Sequence, residues 1–224
     1  MSDWAGHSHV HEVVLCIDFD GQRWSACAGH WQGGPVTPRT PHFIASTSKL
    51  FATAMLLSLQ EDGRLSLDDP VAGFFGQGEL AGLHRWRGQD LTGQITLRHL
   101  LAHRSGLPDY FEGKRLDGSR FAERLLAGHD LSYGWPQVLH WTREEMRPHF
   151  RPGQGRRARY SDSNFYLLGE VIRRVSGGSL EEALAARVTG PLGLEHTAFY
   201  RTGLPALPLR QGERQLQMPL AMAS

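Results

Sequence analysis

The residues best suited to chemistry in this sequence are a serine and a lysine three positions apart, Ser46 and Lys49. They fall near the start of a stretch whose apolar residues recur at three- and four-residue spacing, which predicts a buried helix that ends at Gly63. Residues three apart on a helix share one face, so the hydroxyl and the amine are expected to lie together. Because an amine beside a hydroxyl can activate a serine without histidine, the pair indicates nucleophilic catalysis.

Ser46 also has a plainer interpretation as the N-cap of this helix, since serine is among the best capping residues. Lys49 favours the catalytic interpretation. Only Lys49 and Lys114 are lysines among the 24 basic residues, so the chain uses arginine almost everywhere that a positive charge suffices. A buried lysine can lose its proton and an arginine effectively cannot, so proton transfer would select lysine at this position.

The composition is that of an ordinary globular protein, with 40% hydrophobic and 21% charged residues in 224. A formal net charge of +1 gives no reason to expect a nucleic-acid partner. No apolar run is long enough to span a membrane, and the first residues lack the basic and apolar regions of a signal peptide, so we expect a cytoplasmic protein. The sequence contains no Gly-rich phosphate loop, and we expect no cofactor.

Three alternating histidines near the N-terminus, His7, His9 and His11, resemble the His-x-His pattern of metallohydrolases. No downstream cluster of histidine and aspartate completes such a site in the sequence. A solvated N-terminal arm is therefore the preferred interpretation, and we expect no metal.

The segment before the serine reads as a β-hairpin over residues 13–29. Asp20-Gly21 is a strong two-residue turn signal between two β-prone runs. With this turn the two cysteines share one face but sit diagonally, too far apart for easy bridging, so we expect free thiols. The expected cross-strand neighbours are Cys16 with Ser25 and Cys27 with Val14.

The rest of the chain is mainly helical in its pattern. Capping residues, a proline at a first helical position and glycines after the last turns delimit several segments. The last long helix is expected to be capped by Asp162 or Ser163 and to present Phe165, Leu168, Val171 and Ile172 to the core. The expected helices are a short one near 71–75, 97–103 capped by Thr96, 119–127, 136–146, 162–175, and one from a Ser179–Glu182 capping box to about 188.

Taken together, these segments resemble the serine β-lactamase and penicillin-binding-protein superfamily, in particular the branch with class C β-lactamases, D-alanyl-D-alanine carboxypeptidases and related esterases. The resemblance runs from the hairpin to about Tyr200. Several ordered motifs at family-like intervals carry it. They are Ser46-Thr-Ser-Lys49, the loop Gly63-Arg-Leu-Ser-Leu-Asp-Asp-Pro-Val71, the segment from Leu97 to Tyr110, Tyr160-Ser-Asp162 and the turn Pro191-Leu-Gly193.

The resemblance implies a serine-β-lactamase-like α/β fold with a helical subdomain and an antiparallel sheet subdomain. It implies that Ser46 attacks a carbonyl and becomes acylated, and that Lys49 accepts or relays the proton. Tyr160 would act as general base toward Ser46 and as general acid toward the leaving group. The backbone N–H of Ser46 would supply one oxyanion-hole donor. The expected substrate is a small molecule or peptide with an ester, amide or β-lactam bond.

The chain departs from the family pattern at Asp162, where the family commonly has asparagine. An amide can donate a hydrogen bond to a substrate carbonyl, whereas a carboxylate can only accept. Asp162 is therefore expected to alter substrate binding in a way that leaves an esterase-like role open, or to stabilise Lys49 in its charged form.

A second departure concerns the third family motif, a Lys- or His-x-Gly strand, which would lie beyond Ser224. We therefore expect residues 1–224 to be the N-terminal part of a longer domain, with an incomplete antiparallel sheet and reduced activity. The alternative from another functional class is a non-catalytic remnant or binding protein that keeps the pocket without turnover. The sequence leaves the oligomeric state open.

Three arginines, Arg156, Arg157 and Arg159, lie just before Tyr160. Their plainest interpretation is a solvated basic loop. The sharper hypothesis is that one of them lowers the pKa of Tyr160, because a nearby positive charge favours the phenolate. Neutralising all three would then move the alkaline limb of a pH–rate profile to higher pH.

Overall fold

A computed structural model describes residue 10 and the ranges 12–31, 34–127 and 133–199. Within these residues the chain divides into two compact units, the first ending at Ala45 and the second beginning at Ser46. The first unit is an antiparallel sheet and the second is mainly helical, so the architecture is mixed α/β. The histidines at 7, 9 and 11 and the tail from residue 200 lie outside the described residues.

The sheet of the first unit contains β1 (Glu12–Phe19), β2 (Gln22–Trp31) and β3 (Gly34–Pro35), in the order β1-β2-β3. Asp20 and Gly21 form the turn with φ angles of 50° and 70°, as a two-residue turn that follows the strand twist requires. This turn sets the register, which pairs Cys16 with Ser25 and Val14 with Cys27. The predicted hairpin, its register and the free thiols are all confirmed.

The described part of the second unit contains six α-helices. Two of them continue into single π-helical turns, Trp141–Glu145 and Ala185–Thr189. A two-stranded ribbon of β4 (Arg85–Trp86) and β5 (Gln89–Asp90) precedes the second helix, and the sequence analysis did not predict it. The helices are α1 (Ser48–Glu61), α2 (Leu97–Leu101), α3 (Phe121–Leu126), α4 (Trp135–His140), α5 (Asp162–Ser176) and α6 (Leu180–Leu184), with short 3-10 segments at Ala45–Thr47, Val71–Phe74 and Thr92–Gln94.

The core of this unit forms where α1 packs against α5. Helix α5 is buried along its whole middle, from Ser163 to Ile172, and α1 contributes Met55, Leu56 and Leu59. Burying so many apolar side chains from two helices fixes their relative position, because each fully buried Leu or Met stabilises the fold by about 1.5–3 kcal/mol. The predicted core face of α5, Phe165, Leu168, Val171 and Ile172, is confirmed.

Two predictions about α1 are wrong. The helix begins at Ser48, after a 3-10 turn over Ala45–Thr47, and the Thr47 cap position makes no side-chain cap bond, so Ser46 is not the N-cap. The helix is also not enclosed on most faces, because Leu50 and Leu57 are exposed. The prediction of the stop is confirmed, since Gly63 follows the helix with a left-handed φ of 67°.

Local capping signals were more reliable than helix lengths. Thr96 caps α2 by accepting the His99 N–H, and Ser179 with Glu182 forms the predicted capping box of α6. The cap residue of α5 is Ser161 and not Asp162 or Ser163; its side chain makes no cap bond and its hydroxyl donates to the Pro108 carbonyl oxygen. No helix among the described residues is long and apolar enough to cross a membrane.

Candidate active site

Four predicted site residues come from two places in the helical unit. Ser46 lies in the 3-10 turn before α1, and Lys49 lies in the first turn of that helix. Tyr160 lies two residues before Asp162, which is the first residue of α5. Since α1 and α5 pack against each other, their N-terminal ends bring these side chains together.

The four side chains form one hydrogen-bonded cluster. The Ser46 Oγ lies 2.8 Å from the Tyr160 Oη and accepts a bond of 3.1 Å from the Lys49 Nζ. The Lys49 Nζ also forms an ion pair of 2.6 Å with the Asp162 Oδ1. The Tyr160 hydroxyl donates to that same oxygen at 3.2 Å, so the Tyr160 oxygen accepts the hydrogen bond of the Ser46 hydroxyl.

The lysine in this cluster is held in its charged form. Its side chain and that of Asp162 are each 16% exposed. Burial acts to lower the pKa of Lys49, but the hydrogen bonds from its ammonium to Asp162 and Tyr160 outweigh burial and raise the pKa above its ordinary value. The Lys49 ammonium also lies 5.0 Å from the centre of the Tyr160 ring, which adds a cation–π attraction.

The backbone just before the serine has an uncommon conformation. Ala45 has a φ of 45°, a left-handed value that a side chain other than glycine adopts at a cost of about 1–2 kcal/mol. Non-glycine residues in this region cluster at functional sites, where the surrounding structure holds them. Whether the Ser46 N–H serves an oxyanion remains a prediction.

His103 is the residue at this site that sequence reasoning missed. Its ring lies against the Tyr160 ring, with centroids 4.6 Å apart. Its Nδ1 accepts the backbone N–H of Ser161 at 3.2 Å, and its carbonyl oxygen accepts that of Arg159 at 2.8 Å. A histidine directly after a short helix carries no sequence signal for such contacts, because they form only when α2 packs against α5.

Buried polar groups of the loop at residues 105–110 hold the start of α5. The hydroxyls of Ser161 and Ser163 both donate to the Pro108 carbonyl oxygen, at 2.9 and 2.7 Å. The Asp109 carboxylate accepts the Asp162 N–H at 3.1 Å. Burial, and secondly the negative charge of Asp162, raise the pKa of Asp109 to about 6.

A cavity of about 440 Å³ opens beside Tyr160. Arg159 lines this cavity, whereas Arg156 and Arg157 do not. All three arginines are exposed, in agreement with a solvated loop. The hypothesis that one of them acts on Tyr160 stays a prediction. Among the described residues no group of three or more His, Cys, Asp or Glu side chains is arranged to hold a metal ion.

Comparisons with known proteins agree on a single family. A family model described as Beta-lactamase matches residues 6–221. A putative penicillin-binding protein PbpX of Bacillus subtilis is 28% identical over 165 residues, which cover 74% of this chain and 34% of that protein. A teichoic acid D-alanine hydrolase of Staphylococcus aureus is 26% identical over 164 residues, which cover 73% of this chain and 34% of that protein.

A solved structure with the same fold is that of a D-stereospecific amidohydrolase from a Streptomyces species, with a TM-score of 0.67 and 30% identity. The match covers 86% of this chain and 52% of the amidohydrolase. The predicted serine-β-lactamase-like α/β fold is therefore confirmed. The chain spans about a third of the length of the curated relatives named here.

Proposed function

The chain belongs to the beta-lactamase family, a family of serine hydrolases, and on that premise we propose that it hydrolyses an acyl substrate through an acyl-enzyme on Ser46. One observation carries the proposal. The Ser46 hydroxyl lies within hydrogen-bond distance of both Tyr160 and Lys49, as an activated nucleophile requires. The exposed position of Ser46 leaves its oxygen open to a substrate carbonyl.

In the acylation step the Ser46 oxygen attacks the carbonyl carbon while its proton passes to the Tyr160 oxygen, and the proton that Tyr160 already carries passes to the Asp162 carboxylate along their hydrogen bond. The charged Lys49 has no lone pair to accept the Ser46 proton, so its contribution is to stabilise the negative charge that develops on the Ser46 oxygen as the proton leaves. Tyr160 then gives this proton to the departing alkoxide or amine and takes its own proton back from Asp162. Water attacks the acyl-enzyme in the same way, passing a proton to Tyr160 as the phenol's own proton moves to Asp162. The acid leaves as Tyr160 returns a proton to Ser46 and recovers its own from Asp162.

Asp162 has two roles in this scheme. It holds the ammonium of Lys49 in place, and it accepts the hydrogen bond of the Tyr160 hydroxyl at rest and the phenol proton during acylation. A carboxylate cannot donate to a substrate carbonyl as the asparagine common in the family can. The site thus binds the amide groups of peptides and β-lactams less tightly, which favours a simple ester among the expected substrates.

The experiment is covalent labelling of the intact chain with a fluorophosphonate, together with hydrolysis of a chromogenic phenyl ester. We expect one label per chain, on the peptide that contains Ser46. Ser46→Ala should abolish both signals, whereas the matched control Ser48→Ala, two residues along the same segment, should keep them.

A label on another residue, or labelling that survives in Ser46→Ala, would contradict the proposal. If the folded wild-type chain takes up no label and cleaves no ester, the alternative holds. The protein would then be a binding protein that keeps the pocket without turnover.

A further inference from the structure

His103 stands in a backbone conformation that its neighbours must hold. It follows α2 with a left-handed φ of 54°, which is uncommon for residues other than glycine, although asparagine, aspartate and histidine adopt it more often than the rest. Its N–H donates to the Leu100 carbonyl oxygen at 3.1 Å, and its own carbonyl oxygen accepts the Arg159 N–H. The residue before Tyr160 is thus tied to the backbone of His103.

The hydrogen bonds around the imidazole define which nitrogen carries the proton. The buried Ser105 hydroxyl donates to the Asn164 Oδ1 at 2.6 Å, which orients the amide so that its Nδ2 faces the ring. That Nδ2 lies 3.1 Å from the His103 Nδ1, which also accepts the Ser161 N–H. Two donors point at Nδ1, so this nitrogen must present its lone pair and the proton must be on Nε2.

We infer that neutral His103, with its proton on Nε2, is a positioning residue that holds the Tyr160 oxygen against Ser46. Its carbonyl oxygen and its Nδ1 bind the residues on either side of Tyr160, and its ring packs on the phenol. The inference rests on the proposed function, because it assigns His103 a part in the reaction through Tyr160.

Protonation of the His103 ring would break the hydrogen bonds by which it holds the Tyr160 segment. An imidazolium carries a proton on Nδ1, and that proton would face the N–H of Ser161 and the amide of Asn164. The ionisable groups that act on the ring are Lys49, Asp162 and Tyr160. Burial and the charge of Lys49 lower the pKa of His103, against the opposing effect of Asp162. The support is therefore present at neutral pH and lost on acidification.

Two substitutions distinguish a positioning role of the His103 hydrogen bonds from a role of the side chain's size alone. In His103→Asn the Oδ1 occupies the place of Nδ1, accepts the Ser161 N–H, does not titrate and suits a left-handed φ. We expect this variant to keep kcat for a phenyl ester within several-fold, and to lose the acid limb of the pH–kcat profile that His103 causes. His103→Leu has no acceptor, and we expect kcat to fall on the order of a hundredfold with little change in KM, as a misplaced catalytic group would cause.

The second measurement needs no activity. Two-bond proton–nitrogen correlation spectra of the wild-type chain at pH 7.5 should show His103 with an unprotonated Nδ1 and a protonated Nε2. The opposite tautomer, or an imidazolium at that pH, would overturn the inference. So would an acid limb that is unchanged in His103→Asn, or equal losses of kcat in the two variants.

The outcomes also separate this inference from the proposed function. If the wild-type chain is not labelled at Ser46, the proposed function fails, and the positioning role fails with it even if the tautomer is as expected. If Ser46 is labelled but the His103 variants behave like wild type, only the positioning role fails. Should His103→Leu not fold, as thermal unfolding will show, His103→Asn and the spectra still decide.

Discussion

The ion pair between Lys49 and Asp162 sets the resting charge of the site. A lysine buried without a partner tends to lose its proton, but here the carboxylate at 2.6 Å keeps the ammonium charged. The position between the Ser46 oxygen and the carboxylate suits a compact ammonium. This explains why one of only two lysines of an arginine-rich chain is found here.

Lys49→Arg should therefore be nearly as damaging as Lys49→Ala. The planar guanidinium keeps the charge but is too large for the space between Ser46 and Asp162, so it cannot place a donor on the Ser46 oxygen as the compact ammonium does. We expect the rate of fluorophosphonate labelling to fall on the order of a hundredfold or more in both variants, as when an oxyanion donor is removed. Labelling of the arginine variant at the wild-type rate would show that charge alone suffices.

Asp162→Asn should destabilise the protein by about 1–3 kcal/mol near pH 8, because it leaves a mostly buried ammonium without its counter-charge. The pKa of Lys49 is raised in the folded state, so the stability that the pair contributes is present below about pH 10.5 and lost as pH rises through the folded pKa. Urea unfolding of both proteins near pH 8 and near pH 11 measures this.

The matched control is Asp68→Asn, which breaks a solvent-exposed pair with Arg98 and should change stability little. A difference between wild type and Asp162→Asn that is as large near pH 11 as near pH 8 would contradict the expectation.

The sequence was sufficient to find Ser46, Lys49, Tyr160 and Asp162 because each lies in a short motif with fixed spacing. The structure brings all four together, and their catalytic roles remain a proposal. The motif could not reveal His103, whose contacts to Tyr160 and Ser161 come from the packing of separate helices.

At the scale of elements, buried hydrogen bonds connect the loop at 105–110 to the first turn of α5. The ionisable group among them is the Asp109 carboxyl, which accepts hydrogen bonds from the N–H groups of Phe111, Glu112 and Asp162. These bonds favour the carboxylate, but burial and the charge of Asp162 outweigh them. The folded pKa of about 6 lies above the ordinary value of 3.8, so the folded state binds this proton more tightly than the unfolded chain.

The stability contributed by Asp109 is therefore fully present below about pH 4 and lost as pH rises through about 6, a loss of roughly 3 kcal/mol. Asp109→Asn removes the titration and keeps an oxygen for two of the N–H donors. We expect the free energy of unfolding of the variant, minus that of wild type, to rise by roughly this amount between about pH 4 and pH 7.

Urea unfolding at the two pH values tests this prediction. Asp68→Asn is again the control, because the hydrogen bond from Arg98 lowers the pKa of Asp68 and the pH dependence should have the opposite sign. A difference between Asp109→Asn and wild type that does not change with pH would show that Asp109 does not titrate in this range.

Local signals predicted the elements well where one short interaction decides them. The Asp20-Gly21 turn fixed the hairpin register, and the capping residues located the starts of α2 and α6. The π-helical turns after α4 and α6 and the β4–β5 ribbon were not predictable. They depend on how the segments pack, and neither hydrophobic periodicity nor capping reports on that.

For the whole molecule, the motifs indicated the fold because they occur in order along most of the chain, and the family comparison confirms it. Hydrophobic periodicity alone could not show which apolar residues are covered. Leu50 and Leu57 read as core, yet they are exposed. On one face of the hairpin the apolar residues are exposed as well. They are Leu15, Ile17, Phe19 and Trp24.

These four hairpin residues form a stripe, since Leu15, Ile17 and Phe19 alternate along β1 and Trp24 of β2 pairs with Ile17. Among the described residues, strand β1 is also at the edge of the order β1-β2-β3, with no partner strand on its outer side, so its backbone groups there can pair with another strand. An apolar stripe beside an open edge favours association with a second copy of the chain.

We therefore expect the 224-residue chain to self-associate with rising concentration in sedimentation velocity experiments. Replacing Ile17 and Phe19 together by threonine keeps the strand propensity but removes apolar surface from the stripe, and should shift the distribution toward monomer. Leu126→Thr is the matched control, because Leu126 is exposed at the end of α3 and lies outside the stripe. Association that is unchanged in the double variant, or reduced equally by Leu126→Thr, would show that the hairpin face does not mediate it.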